Sequence, residues 1–338
     1  MRSLHARRPV ARPSRLVLAG LVTAVALALV ACGADESFAP APGADGEVSA
    51  APSTGAAESA VGALTIIPRI AFASYRIGDH PDIYRMDPSG TNVTRLTSFT
   101  GDEVSAAMSW DHKRIAFVRR RFDASNVGRD DIYLANVDGT GKRWARTVTS
   151  TFTIIDPAWS PDGTRLVVTV IMQGTPLLAT LTLATGKLDL VAGFSGAIIG
   201  RQGSYHPDGK SIIFVDQTGK LVRQIYPNDD EYTLVNLNLQ VGHSTFSPDG
   251  KMFAYHRLIA GTSNMEIFVQ NRTTAVAKRL TYSSSNDGGA SWSPDGTKLA
   301  FESRRSGQSQ IWTMSATGGT ATRITHTTTG EGGPSWSH

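Results

Sequence analysis

The sequence predicts an all-β fold: a six-bladed β-propeller of four-stranded blades over residues 65–338, its ring closed by the C-terminal strand. Three observations carry this. Pro-Asp-Gly recurs at 161–163, 207–209, 248–250 and 294–296, spaced 46, 41 and 46 residues. Each copy is followed by short runs of Ile, Val, Phe, Tyr and Thr separated by Gly and Asp, the pattern of strands joined by hairpins. No stretch keeps apolar residues at helical spacing for ten positions. Units of 40–50 residues with four strands each are the period of a propeller blade.

Before the repeat lies a different kind of chain. Residues 1–31 hold five arginines and no acid, followed by an apolar run from Leu16 to Ala31 that ends in small residues. This is the build of a secretory signal, shorter than the run of about 20 apolar residues that a spanning helix needs. The run closes in Leu29-Val30-Ala31-Cys32, which resembles the lipobox of bacterial lipoproteins. That resemblance implies lipidation at Cys32, hence a membrane contact through an N-terminal lipid, and Gly33 in place of Asp implies the outer membrane. Cys32 is the single cysteine of the chain, so no disulfide framework exists. Residues 32–64 are expected to form a disordered tether: from Gly33 to Leu64, 22 of 32 residues are Ala, Gly, Pro or Ser.

The formal charge of +4 comes from this leader. Without the first 31 residues, 28 basic residues face 29 acidic ones, a net charge of −1. Nothing in that balance attracts nucleic acid.

Within each unit the first element is an aromatic residue, a small or polar residue, then the turn: Trp159-Ser160, Tyr205-His206, Phe246-Ser247 and Trp292-Ser293. Proline presets the first turn position, aspartate can bind a nearby N–H, and glycine takes the positive φ. SWDHKRIAF at 109–117 reads as a degenerate member with a turn two residues shorter. Next come IAF at 70–72 and 115–117, LVVTV at 166–170, IIFV at 212–215, MFAY at 252–255 and LAF at 299–301. A further strand follows, as DIYRM at 82–86, DIYLANV at 131–137, EIFVQ at 266–270 and QIWTM at 310–314. TRLT at 94–97, KRLT at 278–281 and TRIT at 322–325 end their units. The first unit opens at PRIAF without an aromatic-turn strand, and GGPSWSH at 332–338 is such a strand with no unit after it. Residues 334–337 are therefore expected to complete the first blade, with Trp336 packing as Trp292 does.

WSPDGTRL, WSPDGTKLAFESRRSGQSQIWTM and the trailing TRIT resemble the TolB-type, WD-repeat-like propeller repeat. The resemblance covers nearly all of residues 65–338 and implies a TolB-like β-propeller of the bacterial cell envelope. It also brings two enzyme classes into view. Prolyl-peptidase relatives need a G-x-S-x-G elbow, and Gly193-Phe194-Ser195-Gly196-Ala197 fails at its last position. Oligogalacturonate lyases resemble this repeat and use a His-rich metal site; here His206, His243 and His256 fall at different repeat positions, so no metal or other cofactor is expected. Asp79-His80-Pro81-Asp82 reads as a solvated turn.

The remaining candidate is the mouth of the central channel. Loops entering the innermost strands carry Glu103, Asp156, Arg201, His243, Asp287 and Glu331, four of the six acidic. Such a ring is expected to favour a cationic segment of an envelope protein or a small ligand. The expected function is that of a lipid-anchored, non-catalytic binding module facing the periplasm. The alternatives are a propeller enzyme acting on an oligosaccharide, and a sensor or scaffold subunit of an envelope complex.

Overall fold

The computed structural model describes residues 68–336, apart from 123–127, 149–151, 194–195, 220, 226–230 and 237–238. The expected signal peptide, the lipidated Cys32 and the tether to residue 64 lie outside the described residues.

Strands follow one another in blade-sized groups. The first group is β1 (Ile70–Ser74), β2 (Asp82–Met86) and β3 (Thr94–Arg95). Blade 2 is β4 (Asp102–Met108), β5 (Arg114–Phe122), β6 (Gly128–Asn136) and β7 (Arg143–Val148). Blade 3 is β8 (Phe152–Trp159), β9 (Arg165–Met172), β10 (Thr175–Thr182) and β11 (Lys187–Leu190). A two-residue hairpin, β12 (Ala192–Gly193) and β13 (Gly196–Ala197), leads to the next blade. Blade 4 is β14 (Gly200–Tyr205), β15 (Ile212–Asp216), β16 (Leu221–Ile225) and β17 (Glu231–Asn236). Blade 5 is β18 (Val241–Phe246), β19 (Met252–Leu258), β20 (Met265–Asn271) and β21 (Ala277–Arg279). Blade 6 is β22 (Asp287–Trp292), β23 (Lys298–Ser303), β24 (Gln310–Ser315) and β25 (Thr322–Arg323). The last strand, β26 (Glu331–Trp336), pairs antiparallel with β1 and completes blade 1 in the order β26-β1-β2-β3. The domain is thus a six-bladed, all-β propeller closed by its C-terminal strand, and no open edge remains between its ends.

Local chemistry explains the hairpins. In the turns at 160–165, 247–252 and 293–298 the serine Oγ donates to the aspartate two residues on, at 2.6–2.7 Å, and accepts the N–H five residues on, at 2.9–3.0 Å. Gly163, Gly209, Gly250 and Gly296 hold φ between 66° and 69°. The degenerate member at 109–117 has the same length as the others, contrary to the sequence expectation. Ser109 and Asp111 make the same bond at 2.5 Å, Trp110 stands in for proline, and His112 takes the glycine position at φ 59°.

Blades pack through the residue before each turn. Trp159, Tyr205, Phe246, Trp292 and Trp336 are all 1–4% exposed. The indole N–H of Trp159 reaches the Ala107 carbonyl of the preceding blade at 3.0 Å, and that of Trp292 reaches the Thr245 carbonyl at 3.2 Å. Thr97, Thr281 and Thr325 accept the N–H of Ile83, Ile267 and Ile311 at 2.8–2.9 Å, which explains the threonine ending each unit.

Candidate functional site: the central channel

Every innermost strand carries a bulge. Its register against the second strand shifts at Val104/Ala107, Ile155/Ala158, Arg201/Ser204, Gly242/Thr245 and Gly288/Ser291, and β26 shifts opposite Ala71/Ala73. At each bulge one residue is left-handed: Ser105, Asp156, Gln202, His243, Gly289 and Gly333, with φ between 47° and 60°. All six line a channel cavity of about 630 Å³. A bulge bends its strand and re-aims one residue, here toward the cavity: a side chain in four blades and bare backbone at Gly289 and Gly333.

Side chains of the preceding blade cap the N–H groups of four of these residues. Thr169 Oγ1 accepts from Gln202 at 2.9 Å, and the Gln202 side chain in turn accepts from His243 at 2.7 Å. His256 Nδ1 accepts from Gly289 at 3.4 Å and the Glu302 carboxylate from Gly333 at 3.3 Å. Thr169, His256 and Glu302 share one register position on the second strands, opposite Ile155, Gly242 and Gly288. At Ser105 and Asp156 the corresponding residues of the preceding blades are Ala73 and Val118, which carry no acceptor.

The charged groups of the channel are held far from their ordinary states. Burial raises the Asp156 carboxyl, while His243, Arg201 and the Thr169 hydroxyl pull it back down. Burial lowers His243, with Asp156 and Glu302 opposing it. Burial, then the neighbouring His243 and Arg201, push His256 down to about 3. At neutral pH both imidazoles are therefore uncharged, and His243 Nδ1 has no hydrogen-bond partner. The Glu302 carboxylate also accepts from the Ser309 hydroxyl at 2.6 Å.

The six charged residues expected at the mouth occupy strands rather than entry loops, and at three levels. Glu103, Asp287 and Glu331 share one repeat position at the outer end of their strands and are 0%, 0% and 1% exposed. Asp287 accepts from Arg305 at 2.5 Å and Glu331 from Arg76 at 3.0 Å. Buried carboxylates matched by arginines do not project a negative field. Arg201 is exposed one position above the bulge, and Asp156 and His243 are bulge residues themselves. The structure thus brings His243 and Arg201 around Asp156, places Glu331 at the cavity wall in its pair with Arg76, and sets Glu103 and Asp287 apart. His206 sits elsewhere, at the turn after β14, with Nε2 3.3 Å from the Gly250 carbonyl and Nδ1 2.9 Å from Asp208. The 79–82 segment is only partly a solvated turn: Asp82 is 3% exposed and paired with Arg95 at 2.8 Å.

Sequence reasoning missed Ser105, Gln202 and Glu302. A usable signal for the bulge residues was present: each lies four positions before the residue that opens the turn, as Asp156 precedes Ser160 and His243 precedes Ser247. Choosing residues by charge, not by this offset, mixed three repeat positions.

A family model described as TolB beta propeller domain matches residues 221–338. The crystal structure of TolB from Acinetobacter baumannii superposes with a TM-score of 0.69 at 23% identity, covering 80% of this chain and 66% of that one. The domain is a TolB-like β-propeller. In sequence, an uncharacterized protein of Agrobacterium fabrum is 32% identical over 163 residues, 46% of this chain and 53% of that protein. The Tol-Pal system protein TolB of Aromatoleum aromaticum is 31% identical over 115 residues, 33% of this chain and 25% of that protein. This TolB-like chain therefore aligns with about half of the first relative and a quarter of the second. An oligogalacturonate lyase solved with manganese shares the fold, with a TM-score of 0.52 at 16% identity over 75% of this chain and 73% of that one.

Proposed function

We propose that this chain is a lipid-anchored, non-catalytic binding protein of the bacterial envelope that docks a protein partner at the mouth of its channel. One observation carries the reading: the roughly 630 Å³ channel cavity is lined by a re-aimed bulge residue from each of the six blades. A concave site with a few convergent polar groups is where a propeller recognises a partner. The relatives named Tol-Pal system protein TolB support an envelope partner, and the signal-like leader ending at Cys32 supports an outer-membrane anchor facing the periplasm. Of the six residues expected at the mouth, Asp156, Arg201 and His243 are the ones proposed to touch the partner. Glu103, Asp287 and Glu331, buried at the outer ends of their strands, are not among them.

The test is in-cell crosslinking from a photoreactive residue at Arg201, in the full-length chain. Capture of one envelope protein, weakened by Gln202→Ala or Asp156→Asn, is the expected result. Capture that neither substitution changes removes the channel from the reading. Cys32→Ser should abolish labelling by a palmitate analogue and leave the leader uncleaved; labelling at the parent level removes the anchor.

The second reading, an enzyme acting on an oligosaccharide, is favoured by one feature. His243 and His256 lie within electrostatic reach of each other, beside Asp156 and Glu302, in one cavity. Incubation with oligogalacturonate and manganese, followed by absorbance of unsaturated product, tests it. Turnover lost in His256→Gln would support the enzyme over the binding module.

A further inference from the structure

Three seams between blades place a polar side chain of the third strand against a carboxylate of the next blade's innermost strand. Between blades 6 and 1 the pair is Gln310 and Glu331, bridged by the Thr327 hydroxyl, which lies 2.8 Å from Glu331 and 3.5 Å from Gln310. Here one carboxylate meets one guanidinium, that of Arg76. Between blades 5 and 6 the pair is Glu266 and Asp287. Two carboxylates meet two guanidinium groups, Arg279 at 3.1 Å from Glu266 and Arg305 at 2.5 Å from Asp287. Both seams are balanced.

The seam between blades 1 and 2 is not. Its pair is Asp82 and Glu103, 3% and 0% exposed, set beside each other where the Glu103 N–H donates to the Pro81 carbonyl at 2.8 Å. Arg95 binds Asp82 at 2.8 Å. Among the described residues no arginine forms a hydrogen bond or ion pair with Glu103, whose oxygens have no hydrogen bond of ordinary geometry and face Asp82 and the Thr97 hydroxyl, with Arg119 acting only through its field. The reason lies in the neighbouring hairpin. Arg76 and Arg305 each stand two residues beyond the strand partner of Glu331 or Asp287, and in blade 2 that place belongs to Arg121. Strand β5 continues through it, and Arg121 pairs along the hairpin with Asp131 at 2.7 Å. Arg119, the strand partner of Glu103, lies over the Phe99 ring at 4.6 Å and donates to the Thr100 carbonyl at 3.3 Å. On the strand's other side His80 and Asp102 pair with each other at the surface, 2.7 Å apart.

We propose that Asp82 and Glu103 share one buried proton, and that losing it loosens the seam between blade 1, which holds the ring closure, and blade 2. Two carboxylates in one dry site with a single guanidinium cannot both stay ionised. Burial, then the Asp82 carboxyl, raise Glu103 to about 8 against the opposing pull of the Thr97 hydroxyl and Arg119, in the direction this charge count requires. The sign follows. The unfolded carboxyl ionises near its ordinary value and the folded one does not, so stability falls as pH rises from about 4.5 to about 8 and levels above it. The seam is thus a device that tightens in acid and weakens in alkali, independent of what the channel binds.

The experiment compares unfolding midpoints of the detergent-solubilised full chain, Glu103→Gln and Asp82→Asn at pH 6 and pH 9.5. Glutamine keeps the neutral shape, and asparagine lets Glu103 ionise beside Arg95 alone. The expected result is near-equal midpoints at pH 6 and a parent lower by about 5 °C or more than both variants at pH 9.5. Parallel profiles for parent and both variants overturn the proposal. Should either variant fail to fold, ¹³C-carboxyl NMR of the parent decides: a buried glutamate titrating near 8 supports the shared proton, and every glutamate titrating below 6 overturns it.

Discussion

The backbone N–H of Trp336 donates to the Ser291 hydroxyl at 2.9 Å, while the same residue pairs with Ile70. One strand thus holds the last blade and the first together. The next inner strand repeats the device, with the Met108 N–H donating to the Ser335 hydroxyl at 2.9 Å. Closure therefore consists of main-chain pairing on one side of β26 and hydroxyl bonds on both sides.

Trp336→Ala removes a side chain only 2% exposed from a seam that Ile70, Phe72 and Ile324 also build. The expected loss is about 3–5 kcal/mol, comparable to the whole margin of many domains. Deleting residues 331–338 should leave the domain unfolded or aggregated. Thermal melting by circular dichroism checks both. A deletion that melts within a few degrees of the parent would refute closure by β26.

His256 should make the fold acid-sensitive. Its folded value, about 3, lies below the ordinary 6.5, so the unfolded chain binds the extra proton. The stability it contributes is present above about 6.5 and is lost as pH falls toward 3. At about 1.4 kcal/mol per unit the upper bound is roughly 5 kcal/mol, reduced by its partial exposure to the channel. His256→Gln keeps an acceptor for the Gly289 N–H and should flatten the acid limb of a denaturation profile between pH 6.5 and 4.

Asp287, expected from the sequence as a charge of the channel mouth, is buried in an ion pair with Arg305. Asp287→Ala leaves the Arg305 guanidinium, stacked near the Trp312 ring at 4.8 Å, without its carboxylate. Removing one partner of a buried pair costs about 3–5 kcal/mol, and the 24% exposure of the Arg305 side chain puts this case at the lower end. The double variant Asp287→Ala/Arg305→Met should recover part of the loss in urea unfolding; no recovery would mean that the pair is not the source.

Ser160→Ala removes a hydroxyl that both donates to Asp162 and accepts the Arg165 N–H. A loss of about 1–2 kcal/mol is expected, with the same in Ser293→Ala. Channel binding should be unchanged, since these turns close the opposite ends of the hairpins from the mouth.

The repeat was legible because each of its signals acts over a few residues. Ser-Pro-Asp-Gly closes a turn through its own bonds, and the aromatic residue before it enters the core wherever the blade is placed. Even so, Trp110 and His112 in the proline and glycine positions made the turn of one copy look two residues short, because a left-handed histidine is not a recognised turn signal. The charged residues were far less legible. Glu331 looks free in the sequence, yet its partner Arg76 stands 255 residues earlier. Gln202 looks like a surface amide, yet it caps a backbone N–H in the next blade, 41 residues on.

The sequence by itself determined six units, four strands in each, the turns between them and the strand that closes the ring. These follow from local dihedral preferences and from a period that repetition makes visible. Only the tertiary structure decided which charges open on the channel, which are buried against arginines at the outer strand ends, and which seam sets two carboxylates against one guanidinium. The physical reason is that electrostatics depends on distance in space and on exclusion of water. Both are set where blades meet, by residues one blade or the whole chain apart.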